Sequence, residues 1–340
     1  MHRKLKYGIV LLQWKTMSLT SRQLHLFGII ASSLITALVT SLVYPPYFSI
    51  APPKFSNYHF IPRHDCKSWK ASPQHKTSLI TRTTCVGKHF LVILVSSAPA
   101  NFERRKLVRQ TWGTDKNLTS PQWKTYFLLG QTRNQTESFL LEKENSVYGD
   151  MIRANYPEHY WNQSLKIQMA FEWAARYCNF SYLLKADDDV LVKTKDMIKL
   201  LRRNSTPKRG LYMGKLHPRD KVPRAGKWRV PYEEYSGSHY PDFCTGAAIV
   251  MSYDVVECLV PLFDVVKPYR MDDVYVGMLA NISGVKAVHH SGFYVHWDTT
   301  FCNFLPHVLV QHQATGECLK KLLRMHSNGR FSYRMSGYFL

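Results

Sequence analysis

Acid is scarce in this chain. Asp and Glu number 24 against 45 Lys and Arg in 340 residues, a formal net charge of +21. Such an excess draws anionic partners in general (nucleotides, nucleic acids, membranes, acidic sugars) without choosing among them. Zinc-finger spacing, a basic leucine zipper and the aromatic signature of an RRM are all missing, so no nucleic-acid partner is expected. The seven cysteines, Cys66, Cys85, Cys178, Cys244, Cys258, Cys302 and Cys318, contain no C-x-x-C pair. That argues against zinc and for disulfides in an oxidising compartment, with one thiol free or paired to another chain. The pairing itself is not legible.

Charge is absent altogether between Arg22 and Lys54. Within that gap, Leu24 to Tyr44 is an apolar run long enough to span a bilayer as a helix. Arg3, Lys4, Lys6, Lys15 and Arg22 precede it, which places the N-terminus in the cytoplasm. The run is too long and too late for a signal peptide, and no A-x-A-like cleavage site follows. The expectation is a single-pass type II membrane protein: a cytoplasmic tail over 1–23, an anchor over 24–44, a Pro-rich stem over 45–88 and a lumenal domain over 89–340. Six N-x-S/T acceptors, at Asn117, Asn134, Asn162, Asn179, Asn204 and Asn281, agree with a lumenal domain.

Against this basic background one acidic stretch stands out. In SYLLKADDDVLV, Ser181 to Val192, three consecutive carboxylates lie between strand-like apolar runs. Like charges this close raise one another's pKa unless a cation or donors stabilise them. Alternation along a strand lets Asp187 and Asp189 point into one site while Asp188 points away or supports its neighbours. Hard oxygen ligands suit Mn²⁺ or Mg²⁺. The plainer reading is an acidic cap for the helix starting at Thr194.

Around the triplet, strands and helices alternate. Phe90 to Val95 is a continuous apolar run of buried-strand type; a helix is expected over Phe102 to Trp112 with Asn101 as N-cap, then a strand over Thr125 to Gly130 and a helix over Thr136 to Tyr148. A short strand at DMIRA follows. Leu165, Met169, Trp173 and Tyr177 recur at four-residue spacing and mark a half-buried helix that feeds the acidic strand. This order predicts a mainly parallel sheet with helices on both faces and a ligand site at the carboxyl ends of its strands. His217 to Tyr240 is irregular and rich in Pro, Arg, Lys, Trp and Tyr, a composition that often covers active sites. Beyond it come a strand at Thr245 to Ser252, a helix over Asp254 to Phe263, and a short helix near Glu317 to Met325.

Several strings occur together in one order: FLVILVSSAP, the R-x-x-x-R-x-T-W-G of Arg105 to Gly113, FLLG, YGDM, the acidic triplet, KWRVPYEEY, YPDFCTGAAIVMS and DDVYVG. On these the chain, from about Lys88 to its end, resembles the inverting β-1,3-glycosyltransferases, the family of β-1,3-galactosyl- and β-1,3-N-acetylglucosaminyltransferases that includes brainiac and fringe proteins. The resemblance implies a GT-A fold, a UDP-sugar donor, a glycan acceptor on a glycoprotein or glycolipid, an Mn²⁺ or Mg²⁺ cofactor and a Golgi membrane location. Galactose is the first expectation for the sugar, with GlcNAc or GalNAc next. A homodimer is allowed, no interface being legible.

The same resemblance assigns roles. Asp189 is the expected direct metal ligand, with Asp187 and Asp188 positioning the metal, its waters or the nucleotide. His312 is the matching C-terminal ligand and His296 its alternative. Asp273 is the expected general base, in an Asp272–Asp273 pair where most members have Glu-Asp; the pair also suits a cap for the helix that follows. Arg105 and Arg109, four apart on one helix face, could meet UDP phosphates or a carboxylate. Lys166 and Asp150 match residues near the donor. Trp228, Tyr232 and Tyr235 could stack on acceptor sugars or pack beneath their loop. Two competing functions stay open on the sequence: an inactive glycan-binding relative, and a metal-independent glycosidase using Asp189 and Asp273 as acid and base.

Overall fold

The computed structural model describes residues 80, 83–115, 122–295, 307–314 and 318–321. The expected tail, anchor and most of the stem lie outside them, as does His296. Among the described residues no helix is long and apolar enough to cross a membrane.

A seven-stranded mixed sheet organises the chain, in the order β3-β2-β1-β4-β7-β6-β8. Its first four members are β1 (Lys88–Ser96), β2 (Trp123–Gln131), β3 (Met151–Pro157) and β4 (Asn179–Asp187). These four are parallel to one another. The helices between them are α1 (Phe102–Gln110), α2 (Gln135–Tyr148) and α3 (Gln163–Tyr177). Strand β1 explains why its sequence is apolar without alternation: Val92 and Leu94 enter one core with α3, while Leu91, Ile93 and Val95 enter the other with Val108 of α1. A strand covered on both faces reads as a continuous run.

The expected mainly parallel sheet holds for this half only. After the short β5 (Leu191–Val192) and α4 (Thr194–Arg202), the chain forms β6 (Tyr212–His217), β7 (Phe243–Ser252), α5 (Tyr253–Leu259), a 3₁₀ turn over Val260–Asp264, and α6 (Asp272–Ile282). β7 runs antiparallel to both β4 and β6, and β8 (Ala287–His289) pairs parallel with β6. An apolar run such as GAAIVMS carries no sign of its direction, so the reversal is silent in sequence. Its consequence is large: the amino end of β7 lies beside the carboxyl end of β4, with Ala248 opposite Ala186.

The other elements within the described residues follow expectation to within a few residues; most of the helix expected near Glu317 to Met325 lies outside them. The folded unit begins before the proline pattern suggested. Trp173 Nε1 donates to Thr83 O (3.1 Å), and Cys85 is disulfide-bonded to Cys178 at the end of α3. Cys258 and Cys318 also belong to disulfides. Cys244 is the free, buried thiol among the described residues; burial pushes its pKa up to about 12, which leaves it inert.

Candidate active site

Strand order places the site. From β1 the chain steps outward to β2 and β3, then returns through α3 to β4 on the other side of β1. The carboxyl ends of β1 and β4 therefore flank a topological switch point, where open α/β sheets bind ligands. Ser96 lies level with Asp187 there.

The three aspartates take three directions. Asp188 is buried and turned toward β1 and α1: it accepts from Ser97 Oγ (2.7 Å), Asn101 Nδ2 (2.8 Å) and Arg104 Nη1 (2.9 Å). Asn101, expected to cap α1, makes no side-chain cap and serves Asp188 instead. Asp189 stands 4.0 Å from the Arg104 guanidinium and 3.9 Å from His312 Nε2. Two-residue strands bring that histidine in. β5 pairs antiparallel with β10 (Val310–Gln311), which lies parallel to β9 (Phe293–Tyr294) on its other side, and Ala314 N donates to Asp189 O (2.8 Å).

Asp187 faces the other way. Its Oδ1 accepts from Lys185 Nζ at 2.7 Å, and the same ammonium donates to Gly246 O (2.5 Å) and lies 3.4 Å from Asp272 Oδ2. Lys185 is buried among these groups. Desolvation alone would depress its pKa, but the charges of Asp187 and Asp272 outweigh it and hold the lysine above its ordinary value. Its signal in the sequence was its place two residues before Asp187, on the same face of the strand.

Gly246 joins the triplet to the Asp272–Asp273 pair. A Cβ there would stand 3.3 Å from both Asp272 carboxylate oxygens and 3.4 Å from Asp273 Cβ, so the start of α6 approaches β7 closely and a side chain at 246 would press on the Asp272 carboxylate. Asp273 accepts backbone hydrogen bonds from Val274 N (2.8 Å) and from Gly246. Desolvation, then the charge of Asp272, pushes its pKa up to about 7 despite these donors.

Aromatic rings border the carboxylates. Tyr160, in a 3₁₀ turn before α3, is half exposed, and partial desolvation with the charges of Asp272, Asp273 and Asp187 raises its phenol pKa to about 12. Its ring lies 5.8 Å from that of Trp228, and Trp161 lies 5.9 Å from Trp228. Trp228 is thus part of a three-ring patch beside Asp273, to which Tyr160 and Trp161 were not assigned from sequence. Tyr232 is exposed, with the Arg224 guanidinium 3.8 Å above its ring. Tyr235 is buried against Tyr240 and Tyr269, so it packs beneath the loop.

Four residues expected at the donor are engaged within the fold instead. Arg105 is 1% exposed and donates to Glu144 and to the carbonyls of Ala98 and Pro99. Arg109 grips Asp150 with two 2.8 Å bonds and Glu144 with a third of 2.6 Å. Lys166 is buried between Glu158 and Ser97 O, each 2.7 Å away. The carboxylate partner that the spacing of Arg105 and Arg109 allowed is the one they have. Arg104, one position away, is the guanidinium at the triplet.

Among the described residues no group of three or more His, Cys, Asp or Glu side chains is arranged for a metal. Asp189 and His312 nonetheless suit a divalent ion. Asp189 Oδ1 is buried without a hydrogen bond, and Mn²⁺ or Mg²⁺ needs only one or two protein donors when water and phosphate oxygens complete the shell.

Comparison with known proteins supplies the class. The galactosyltransferase family model matches residues 103–291. Human β-1,3-galactosyltransferase 1 is 30% identical over 238 residues, covering 68% of this chain and 72% of the relative. Pig UDP-GalNAc:β-1,3-N-acetylgalactosaminyltransferase 1 is 35% identical over 211 residues, 57% of this chain and 60% of its own. A crystal structure of a galactosyltransferase with donor and acceptor sugar analogues aligns over 70% of this chain and 95% of its own, at 12% identity and a TM-score of 0.35. The protein is a glycosyltransferase. Within that class it belongs to the galactosyltransferase family, among the β-1,3-glycosyltransferases.

Proposed function

We propose that the protein transfers a hexose, galactose in the first instance, from a UDP-sugar to the 3-hydroxyl of an acceptor glycan with inversion, forming a β-1,3 linkage. GlcNAc and GalNAc are the next donors. The observation that carries this reading is the meeting of two distant carboxylate groups, Asp187–Asp189 and Asp272–Asp273, through Lys185 and Gly246 at the switch point of the sheet.

The chain's own groups divide the work. Asp273, held by two backbone N–H donors and pushed up to about 7, takes the proton of the acceptor hydroxyl as that oxygen attacks the anomeric carbon. Asp272 keeps that pKa high, and Lys185 offsets part of the charge of Asp187 and Asp272 so that three carboxylates can share one corner. Asp189 and His312 would hold Mn²⁺ or Mg²⁺, which when bound offsets charge on the departing diphosphate as a Lewis acid. Asp188 fixes Arg104 with its guanidinium facing that side. Trp228, with Tyr160 and Trp161, offers flat apolar faces for the acceptor sugar. The domain is read as a GT-A type, carried on the Golgi membrane by the apolar segment at 24–44.

The test is to incubate the lumenal part with UDP-Gal, UDP-GlcNAc or UDP-GalNAc and sugar acceptors, with and without Mn²⁺, and to measure UDP release and product linkage. Acceptor-dependent UDP release that EDTA abolishes supports the reading. Turnover that survives EDTA, or an Asp189→Ala variant with full activity, contradicts it.

A further inference from the structure

A second set of polar groups stands behind the proposed base and has no part in the reaction described so far. At the end of β6, His217 Nδ1 lies 2.7 Å from Asp220 Oδ2, and its Nε2 lies 2.7 Å from Thr245 Oγ1. The ring is stacked on Phe243, centroids 4.9 Å apart and 7° from parallel. A carboxylate accepts, so Nδ1 carries a proton, while the Thr245 hydroxyl lies between Nε2 and the Lys215 carbonyl (3.4 Å). Thr245 is 7% exposed.

The backbone is bent to make this contact. Gly214 faces Ile249 but Leu216 faces Cys244, so β7 bulges away from β6 over residues 245–248. Bulges re-aim side chains and often sit next to active sites. On the other strand Arg219 has φ 48°, a left-handed conformation unusual for a side-chain-bearing residue, and its N–H donates to Asp242 Oδ1 (3.1 Å). That turn folds Asp220 back against His217.

The residue after Thr245 is Gly246, which packs directly against the base: a Cβ there would lie 3.4 Å from Asp273 Cβ, its N–H favours the ionised Asp273, and its carbonyl accepts from Lys185. We propose that Asp220 and His217 are positioning residues for the reaction: through Thr245 they fix the Gly246 N–H against Asp273 and so hold the base in the geometry for proton abstraction. The proposal rests on Asp273 being the base. His217 touches neither the Asp273 carboxylate nor the substrate. It acts through one hydroxyl and one peptide.

The test compares His217→Ala, Thr245→Val and Thr245→Ser with Asp273→Asn in steady-state kinetics across pH. Asp273 is faced by Asp272 on its own helix, Lys185 on β4, Tyr212 on β6 and Tyr160 ahead of α3. None of these changes in the variants. Misplacing a reacting group by a fraction of an ångström lowers turnover roughly 10- to 100-fold. His217→Ala and Thr245→Val should therefore lower kcat by about that factor, with both KM values within about twofold. Because the Gly246 hydrogen bond favours the ionised base, slackening it moves the acid limb of kcat to higher pH. Thr245→Ser keeps the hydroxyl and recovers most of the loss. Asp220→Asn, at a half-exposed position, gives the same pH shift in weaker form and covers the case in which Thr245→Val does not fold. Unchanged kcat and acid limb in His217→Ala and Asp220→Asn, with Asp273→Asn inactive, would overturn the positioning role and leave the base in place. Full turnover by Asp273→Asn would overturn the base assignment, and the positioning role with it.

Discussion

The two halves of the sheet handle charge in opposite ways. On the parallel side, behind the triplet, two arginines meet two carboxylates: Arg105 and Arg109 are matched by Glu144 and Asp150 through five hydrogen bonds of 2.6–2.9 Å. On the antiparallel side three carboxylates, Asp187, Asp272 and Asp273, gather around one ammonium, Lys185. The first arrangement is neutral, and Arg109 is held above its ordinary pKa by its partners, against the pull of burial. The second is frustrated, and Asp273 is pushed up to about 7 as a result. A balanced network stabilises a scaffold, whereas an unbalanced one leaves a group poised to exchange a proton at neutral pH. Strand direction makes the difference, because only an antiparallel β7 delivers its first residues, and with them α6, to the carboxyl edge of β4.

The largest effect that would break this contrast lies on the parallel side. Arg105→Ala leaves Glu144 buried beside one cation instead of two, and breaking a buried pair costs about 3–5 kcal/mol. Chemical or thermal unfolding should show that loss. Arg104→Ala, at a half-exposed position and with Asp188 still held by Ser97 and Asn101, should instead raise the donor KM and cost less stability, about 1 kcal/mol. If Arg105→Ala changed donor KM alone, the scaffold assignment would be wrong.

A smaller effect sharpens the other side. A Cβ at Gly277 would lie 2.5 Å from Phe243 Cβ and 2.9 Å from Asp242 O, so α6 must move to admit it. Gly277→Ala should cost about 1–3 kcal/mol, as overpacking does. It should also lower kcat more than donor affinity, since α6 carries Asp272 and Asp273.

Most of the parallel half was legible in the sequence, and for a physical reason. Strands buried on both faces are written as unbroken apolar runs such as FLVILV, and a helix between two of them reads through its four-residue period. The triplet was visible by contrast with a basic chain. What was hidden is non-local. Helical spacing put Arg105 and Arg109 on one face without saying that the face points inward to Glu144 and Asp150. A lysine in an apolar strand gives no sign that Asp272, far along the chain, will lie within reach of it. The β5–β10 pairing that carries His312 to Asp189 consists of two-residue strands, too short for any periodicity; that histidine was found by family resemblance alone. His217, Asp220 and Thr245 meet only because β7 is bulged and reversed.

The smallest effect is thermodynamic. Asp273 has a folded-state pKa above its unfolded value of about 3.9, so between about pH 4 and 7 the native state binds the extra proton and stability falls as pH rises through that window. Asp273→Asn removes this penalty. At pH 8 the variant should melt about 2–4 °C above the wild type, the shift that about 1 kcal/mol gives a domain of this size, and at pH 4 the two should coincide. A variant less stable at pH 8 would mean that Asp273 is not strained as described.

The two halves divide donor binding from proton transfer, and donor binding by the Asp273→Asn variant reports on that division. Calorimetric titration with the preferred UDP-sugar and Mn²⁺ should give a Kd within about threefold of wild type, while kcat in the same preparation falls by roughly 10²- to 10⁴-fold, the usual contribution of a general base. A donor Kd that weakens in step with kcat, or turnover that persists, would contradict the account.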